Sequence, residues 1–307
     1  MEIIDKYNIV WDWIEISSNS NATPEFLKKI GCYNYISFNK NVTIDFIRNN
    51  PDIKWKWDSI SRNKKITIED IENNPDLPWD WYDVSENPNI TIEFIKKNID
   101  KELWWINISR NKAITMDDIE NNPELPWDWE YISHNPNITM KFIKKYSYKN
   151  WDWDLISCNS AITIEDIEYN LDLPWVYEYV SCNPNLTIDF IKKYINKDWY
   201  WSFISSNSAI TLDIIENNLD LPWIWDYGIS SNPNLTLDFI KKYPNKDWDW
   251  HWISANNNII MDTIDSNTLD SYKCRILSRS IFNIQYNQFI NILNLPDDIK
   301  LNIKKNI

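Results

Sequence analysis

A serine returns every 24 residues along this chain, in an apolar-Ser-x-Asn motif at Ser37, Ser61, Ser85, Ser109, Ser133, Ser157, Ser181 and Ser205. Ser17 stands 20 residues before the series, Ser230 follows it by 25, and Ser254 comes 24 after that. Ser278 is in phase, but the rest of the pattern has faded there. A unit this short cannot bury its own apolar face, so it must share a core with its neighbours, and the fold grows in one direction. The 307 residues therefore read as one array of about eleven units over 1–270, followed by a helical cap at 271–307, and not as two ordinary domains.

Each unit reads as two short helices. In one example Trp127-Asp128-Trp129-Glu130-Tyr131-Ile132-Ser133 supplies the first, and His134-Asn135-Pro136-Asn137 ends it, since Asn and Pro favour a turn. The second begins at Thr139, whose hydroxyl can accept from an orphan backbone N–H. In Thr67-Ile68-Glu69-Asp70 and Thr163-Ile164-Glu165-Asp166 an acid three residues on completes a capping-box pattern. Apolar residues flank each Thr at staple spacing: Ile66 with Ile71, Ile90 with Ile95, Ile138 with Ile143, Ile162 with Ile167. The fold class expected is all-α, a solenoid of two-short-helix repeats.

A 48-residue period overlies the shorter one. Second helices ending in Lys96-Lys97, Lys144-Lys145, Lys192-Lys193 and Lys241-Lys242 alternate with acidic ones carrying Glu69, Asp70 and Glu72; Asp117, Asp118 and Glu120; Glu165, Asp166 and Glu168. The acidic kind is followed by Leu-Pro-Trp, as at Leu125-Pro126-Trp127, where Pro suits the first turn of the next helix. Basic and acidic stripes would lie side by side and set register. Exposed pairs contribute little, about 0–1 kcal/mol each, so the core must hold the array.

Two columns of tryptophan run through the units. Trp55, Trp79, Trp127, Trp151, Trp175, Trp199 and Trp248 form the first; Trp57, Trp81, Trp105, Trp129, Trp153, Trp201 and Trp250 form the second. One column is expected in the core. The second lies either between units or on an open face, where it would be the candidate set of partner-binding aromatics. Stacking on such rings is worth roughly 1–3 kcal/mol per base, but Trp also supplies large apolar area to a unit too short for many Leu.

The remaining chemistry is sparse. His134, Cys158 and Cys182 share one column in three successive units. Packed helices lie about 8–10 Å apart and zinc bonds span only about 2.0–2.3 Å, so no metal site and no cofactor is expected. Cys32, Cys158, Cys182 and Cys274 read as free thiols in a reducing setting. His134 and His251 belong to no nucleophile motif, phosphate loop or metalloprotease motif, and the repeated acids read as helix N-terminal charge. No catalytic residue is assigned, and the chain is not expected to be an enzyme. A net charge of −14 opposes nucleic-acid backbones and anionic membranes. Glu2, Asp5 and Lys6 leave Met1–Val10 without an apolar signal region, and no apolar run is long enough to span a bilayer.

The stretch Ile132-Ser133-His134-Asn135-Pro136-Asn137-Ile138-Thr139 resembles the leucine-rich repeat variant, over roughly residues 11–265. That resemblance implies a right-handed solenoid of alternating short helices, of α or 3-10 type. The chain departs from the family where Trp-x-Trp replaces Val-Arg. It also lacks the clustered cysteines that accompany an iron–sulfur site in one such protein. The Trp-Asp-Trp and Asn-Pro-Asn-Ile-Thr units also resemble repeat proteins of amoeba-infecting giant viruses related to mimivirus, which suggests an origin in the host cytoplasm or virion. The function expected is a non-catalytic protein-interaction scaffold, monomeric, with an unidentified protein partner. The alternatives are a self-assembling virion component and, against the acidic charge, a single-stranded nucleic-acid reader.

Overall fold

The computed structural model describes residues 13–18, 22–29, 31–256 and 258–259. Met1–Val10, Cys274, Ser278 and the cap expected at 271–307 lie outside the described residues. Among the described residues all regular structure is helical, and short helices follow one another at a spacing of about 12 residues, as an all-α helical-repeat solenoid. One row holds the aromatic first helices, including Trp57–Ser61, Trp81–Val84, Trp105–Ser109, Trp129–Ile132 and Trp153–Cys158. The other holds the Thr-capped second helices, including Ile92–Lys97, Met116–Asn121 and Met140–Lys145. First helices pack directly on first helices of the adjoining unit. These elements are α-helical except Ile36–Phe38, a 3-10 turn, and Trp225–Ile229, a π turn.

Helices of four to six residues do not survive alone in water; caps and burial hold them here. Thr139 Oγ1 accepts from the N–H of Phe142 at 3.2 Å. Thr67, Thr115 and Thr163 form full capping boxes with Asp70, Asp118 and Asp166. In the alternate units the equivalent third position is Phe94, Phe142, Phe190 or Phe239, and its ring lies parallel to the second-column aromatic of the same unit, as Phe142 does on Trp129 (5.9 Å, 11°). Through Phe190 the 48-residue period thus alternates a carboxylate that closes the helix start with a phenyl that packs the seam; after Thr211 the position is Ile214. The staple pairs are inside: Ile66 with Ile71 and Ile138 with Ile143 are buried, and with Ile132 they carry the core. Each such side chain contributes about 1.5–3 kcal/mol of burial.

The first helix begins at the second tryptophan of Trp-x-Trp, not the first. Trp127 and Pro126 lie in an extended linker, and Trp129 opens the helix. Pro126 therefore sits before the helix and not in its first turn; Pro78, Pro174 and Pro222 do the same. The linker holds Trp127 where its indole N–H donates to the carbonyl of Asn122 at 2.8 Å, at the end of the preceding second helix. Trp79, Trp151, Trp175, Trp199, Trp223 and Trp248 repeat that bond five residues back. The first column is thus a set of side-chain caps for helix C-termini, which satisfies carbonyls that would otherwise be orphaned.

A ladder of buried asparagines joins the units. The amide of Asn135 donates to the carbonyls of Ser109, Asn111 and Ile114 at 2.9, 3.1 and 3.1 Å, and its carbonyl accepts from its own Asn137 N–H. Asn137 adds bonds to Lys112 and Ile114. Asn87 with Asn89, Asn183 with Asn185 and Asn232 with Asn234 repeat the double clamp. At the alternate seams Ala113, Ala161 and Ala209 stand where the second Asn would be. Serine supplies another rung: Ser133 Oγ accepts from the N–H of Asp152 at 2.9 Å.

The charged stripes meet at the doubly clamped seams. Lys97 pairs with Glu72, Lys145 with Glu120, Lys193 with Glu168 and Lys242 with Glu216, at 2.6–2.8 Å. Acidic helix, basic helix and double asparagine clamp therefore coincide, so the natural 48-residue block is an acidic unit followed by a basic one.

Candidate interaction surface

The second-column residues Trp57, Trp81, Trp105, Trp129, Trp153, Trp201 and Trp250 are all half-buried against the shared core. Trp57 meets Trp79 edge-on at 5.1 Å, Trp105 meets Trp127 at 5.5 Å, Trp153 meets Trp175 at 5.3 Å and Trp201 meets Trp223 at 5.5 Å, all near 90°. Such edge-to-face pairs add about 0.5–1.5 kcal/mol beyond burial. In the basic units a lysine also lies over the ring: Lys101 over Trp81, Lys149 over Trp129, Lys197 over Tyr177 and Lys246 over Trp225, the closest at 4.3 Å. At the matching place in the acidic units stand Leu77, Leu125, Leu173 and Leu221, half-buried against the core. The rings of this column are largely engaged within the array.

Other aromatics are exposed on the row of first helices. Trp104 and Tyr200 stand immediately before the second-column residue and are 43% and 47% exposed, at the position that holds Asp80, Asp128, Asp152 and Asp249 in other units. That Asp has a local task. Asp80, Asp128 and Asp152 each cap the following helix by accepting a backbone N–H, whereas Trp104 and Tyr200 make no such cap. Giving up a cap costs about 1 kcal/mol, so an exposed ring there has no benefit for the helix it begins. Tyr82 packs edge-on against Trp104 at 4.2 Å and bridges two units. Toward the other end Phe203, Tyr227 and Trp252 are exposed at one shared position, two residues past the second-column residue. These six lay hidden in the sequence because the Trp-x-Trp columns dominated it. The available signal for Trp104 and Tyr200 was a large ring in a column that carries Asp80, Asp128, Asp152 and Asp249.

Between two of these units the first helices enclose an open cleft of about 680 Å³. Trp104, Trp105 and Trp129 line it, with the carboxylates of Glu102, Asp128 and Glu130 at its walls. Two candidate-column tryptophans, Trp105 and Trp129, thus line this surface.

The position of Phe203, Tyr227 and Trp252 is polar and buried earlier in the array. Ser59, Asp83 and Asn107 hold equivalent buried positions in three successive units. Burial drives the carboxyl of Asp83 up to about 6 against the pull of Arg62, whose guanidinium lies 3.3 Å away. Arg110 reaches Glu86 at 2.7 Å alongside. Further on, Cys158 and Cys182 hold equivalent positions in adjacent units whose first helices pack on each other, and each thiol perturbs the other electrostatically. Among the described residues no group of three or more His, Cys, Asp and Glu is arranged to hold a metal ion, and no helix is long and apolar enough to cross a membrane.

Comparison of the chain with protein-family models, with curated proteins and with solved structures returned no match.

Proposed function

We propose that this protein is a non-catalytic interaction scaffold that engages a protein partner along its row of first helices. The single observation that carries the reading is the set of exposed rings on that row, Tyr82 and Trp104 at one end and Tyr200, Phe203, Tyr227 and Trp252 at the other. Trp and Tyr anchors are the residues that dominate binding energy at protein interfaces. The acidic walls of the cleft favour a partner segment bearing Lys or Arg. The setting we infer, from the resemblance to giant-virus repeat proteins, is an infected cell's cytoplasm or the virion.

Affinity capture from infected cells, with the wild-type chain and with a Tyr82→Ala/Trp104→Ala variant of unchanged circular dichroism, tests this. A partner recovered by the first and lost by the second supports the scaffold. Capture that is indifferent to both rings sinks it. Oligomers by light scattering that vanish in the variant would instead favour a self-assembling component.

A further inference from the structure

We propose that Cys158 and Cys182 form a dithiol modification site, which a peroxide converts to a covalent bond between adjacent repeats. Cys158 ends the first helix of one unit and Cys182 lies just past the end of the next. Those two helices pack directly on each other. The side chain of Asn183 donates to the carbonyls of Asn159 and Ser157 at 3.2 and 3.0 Å, so a buried rung flanks both cysteines and holds their segments side by side. Each thiol donates to its own helical turn, Cys158 to the Leu155 carbonyl at 3.4 Å and Cys182 to that of Tyr179 at 3.1 Å, and the two side chains are close enough to perturb each other. Both are free and partly open to solvent. In the described array they are the cysteines that meet as neighbours; Cys32 is alone and buried, and its thiol is pushed up to about 11 by that burial.

The two thiols are unequal in a way that suits sequential chemistry. The interaction between the two side chains holds the Cys182 thiol below its ordinary value and, together with burial, raises that of Cys158. Cys182 is therefore the attacking group, since the thiolate is the nucleophile. Its thiolate takes one oxygen from hydrogen peroxide, giving a sulfenic acid and, with the thiol proton, one water. The Cys158 sulfur then attacks that sulfur, its proton leaves with the displaced hydroxide as a second water, and the S–S bond forms. Two thiols and one peroxide become one disulfide and two waters. The bond would staple units that otherwise meet through hydrogen bonds and rings, stiffening one seam of the array reversibly.

The test uses the full-length native chain treated with hydrogen peroxide, then with an alkylating agent under denaturing conditions. No Lys or Arg lies between Lys149 and Lys192, so one tryptic peptide carries both cysteines. The expected product is that peptide lighter by two hydrogens and unalkylated, restored to two alkylated cysteines by dithiothreitol. Thermal denaturation of the oxidised chain should show a rise of the midpoint that dithiothreitol reverses. In Cys158→Ser, Cys182 should stop at the sulfenic acid and be trapped by dimedone. The inference is overturned if native wild-type protein yields both cysteines alkylated after a peroxide dose that oxidises a small-molecule dithiol. It is equally overturned if either cysteine is found bonded to Cys32 or Cys274 instead. The wild-type measurement decides the matter even if the Ser variant fails to fold.

Discussion

The side-chain amide of Asn135 donates to the main-chain carbonyl of Asn111, one repeat earlier, at 3.1 Å. The same nitrogen reaches Ser109 and Ile114, so one buried amide serves three carbonyls of the preceding unit. Removing it leaves the Ser109 carbonyl without its side-chain donor, while Asn111 keeps the N–H of Ile114 and Ile114 keeps the amide of Asn137; a buried group left unsatisfied costs about 1–3 kcal/mol. Asn135→Ala should destabilise the array by about 1–3 kcal/mol by this reasoning, measured by urea denaturation. Asn137→Ala, at the exposed rim of the same seam, should cost less. Equal effects of the two would mean the buried rung is not what joins the units.

Trp127 tests whether the first column serves as bulk or as a cap. Trp127→Phe keeps an aromatic ring at the edge of Trp105 but removes the donor to Asn122. The loss should be about 1–2 kcal/mol, the worth of a buried hydrogen bond with its acceptor left behind. Trp127→Ala, which also opens a cavity, should cost about 3–5 kcal/mol. Denaturation midpoints of the two variants separate these contributions, and a neutral Phe variant would remove the capping role.

The repeat, the Thr caps and the staples were legible in the sequence because each is local: a hydroxyl, an acid three residues on, an apolar pair at fixed spacing. The division of labour between Trp127 and Trp129 was not, because it depends on where Pro126 holds the linker relative to the carbonyl of Asn122. The Asn column was visible as a pattern, but its bonds run between units, and no spacing within one unit announces them. The exposed rings at Trp104 and Tyr200 were masked by their neighbours. They stand in a column that carries a capping Asp in several units, and only the burial of the adjoining rings shows that Trp104 of Trp104-Trp105 and Tyr200 of Trp199-Tyr200-Trp201 are left outside.

Asp83 gives the array a pH dependence opposite to that of most carboxylates. Its folded value, raised by burial to about 6, lies above the unfolded one near 4. The native state therefore holds more protons than the unfolded state between those values, and stability falls as pH rises through the window. The contribution is fully present below about pH 4 and gone above about pH 6, and amounts to something on the order of 1–3 kcal/mol. Asp83→Asn, which copies the Asn107 of the next unit, should be more stable than wild type at pH 7 and show a flatter profile from pH 4 to 6. Parallel profiles for the two proteins would exclude Asp83 as the source.

Gly228 explains the one 25-residue step between Ser205 and Ser230. The extra residue is absorbed in a π turn, where the N–H of Ile229 donates to the carbonyl of Ile224, five residues back, at 2.8 Å. A Cβ at this position would fall 2.8 Å from Cβ of Ser205 in the neighbouring unit, so only glycine fits without a shift. Gly228→Ala should therefore destabilise by about 1–3 kcal/mol through overpacking. Deleting Gly228 should do less harm than substituting it. The deletion turns Trp225-Asp226-Tyr227-Ile229-Ser230-Ser231-Asn232 into the spacing of Trp201-Ser202-Phe203-Ile204-Ser205-Ser206-Asn207, which folds as an ordinary α turn. The Asn232 rung and the Trp225 packing then keep their places in the unit. Thermal denaturation of the two variants decides the point: a deletion less stable than Gly228→Ala would mean that the bulge itself, and not the crowding at Ser205, is what this seam requires.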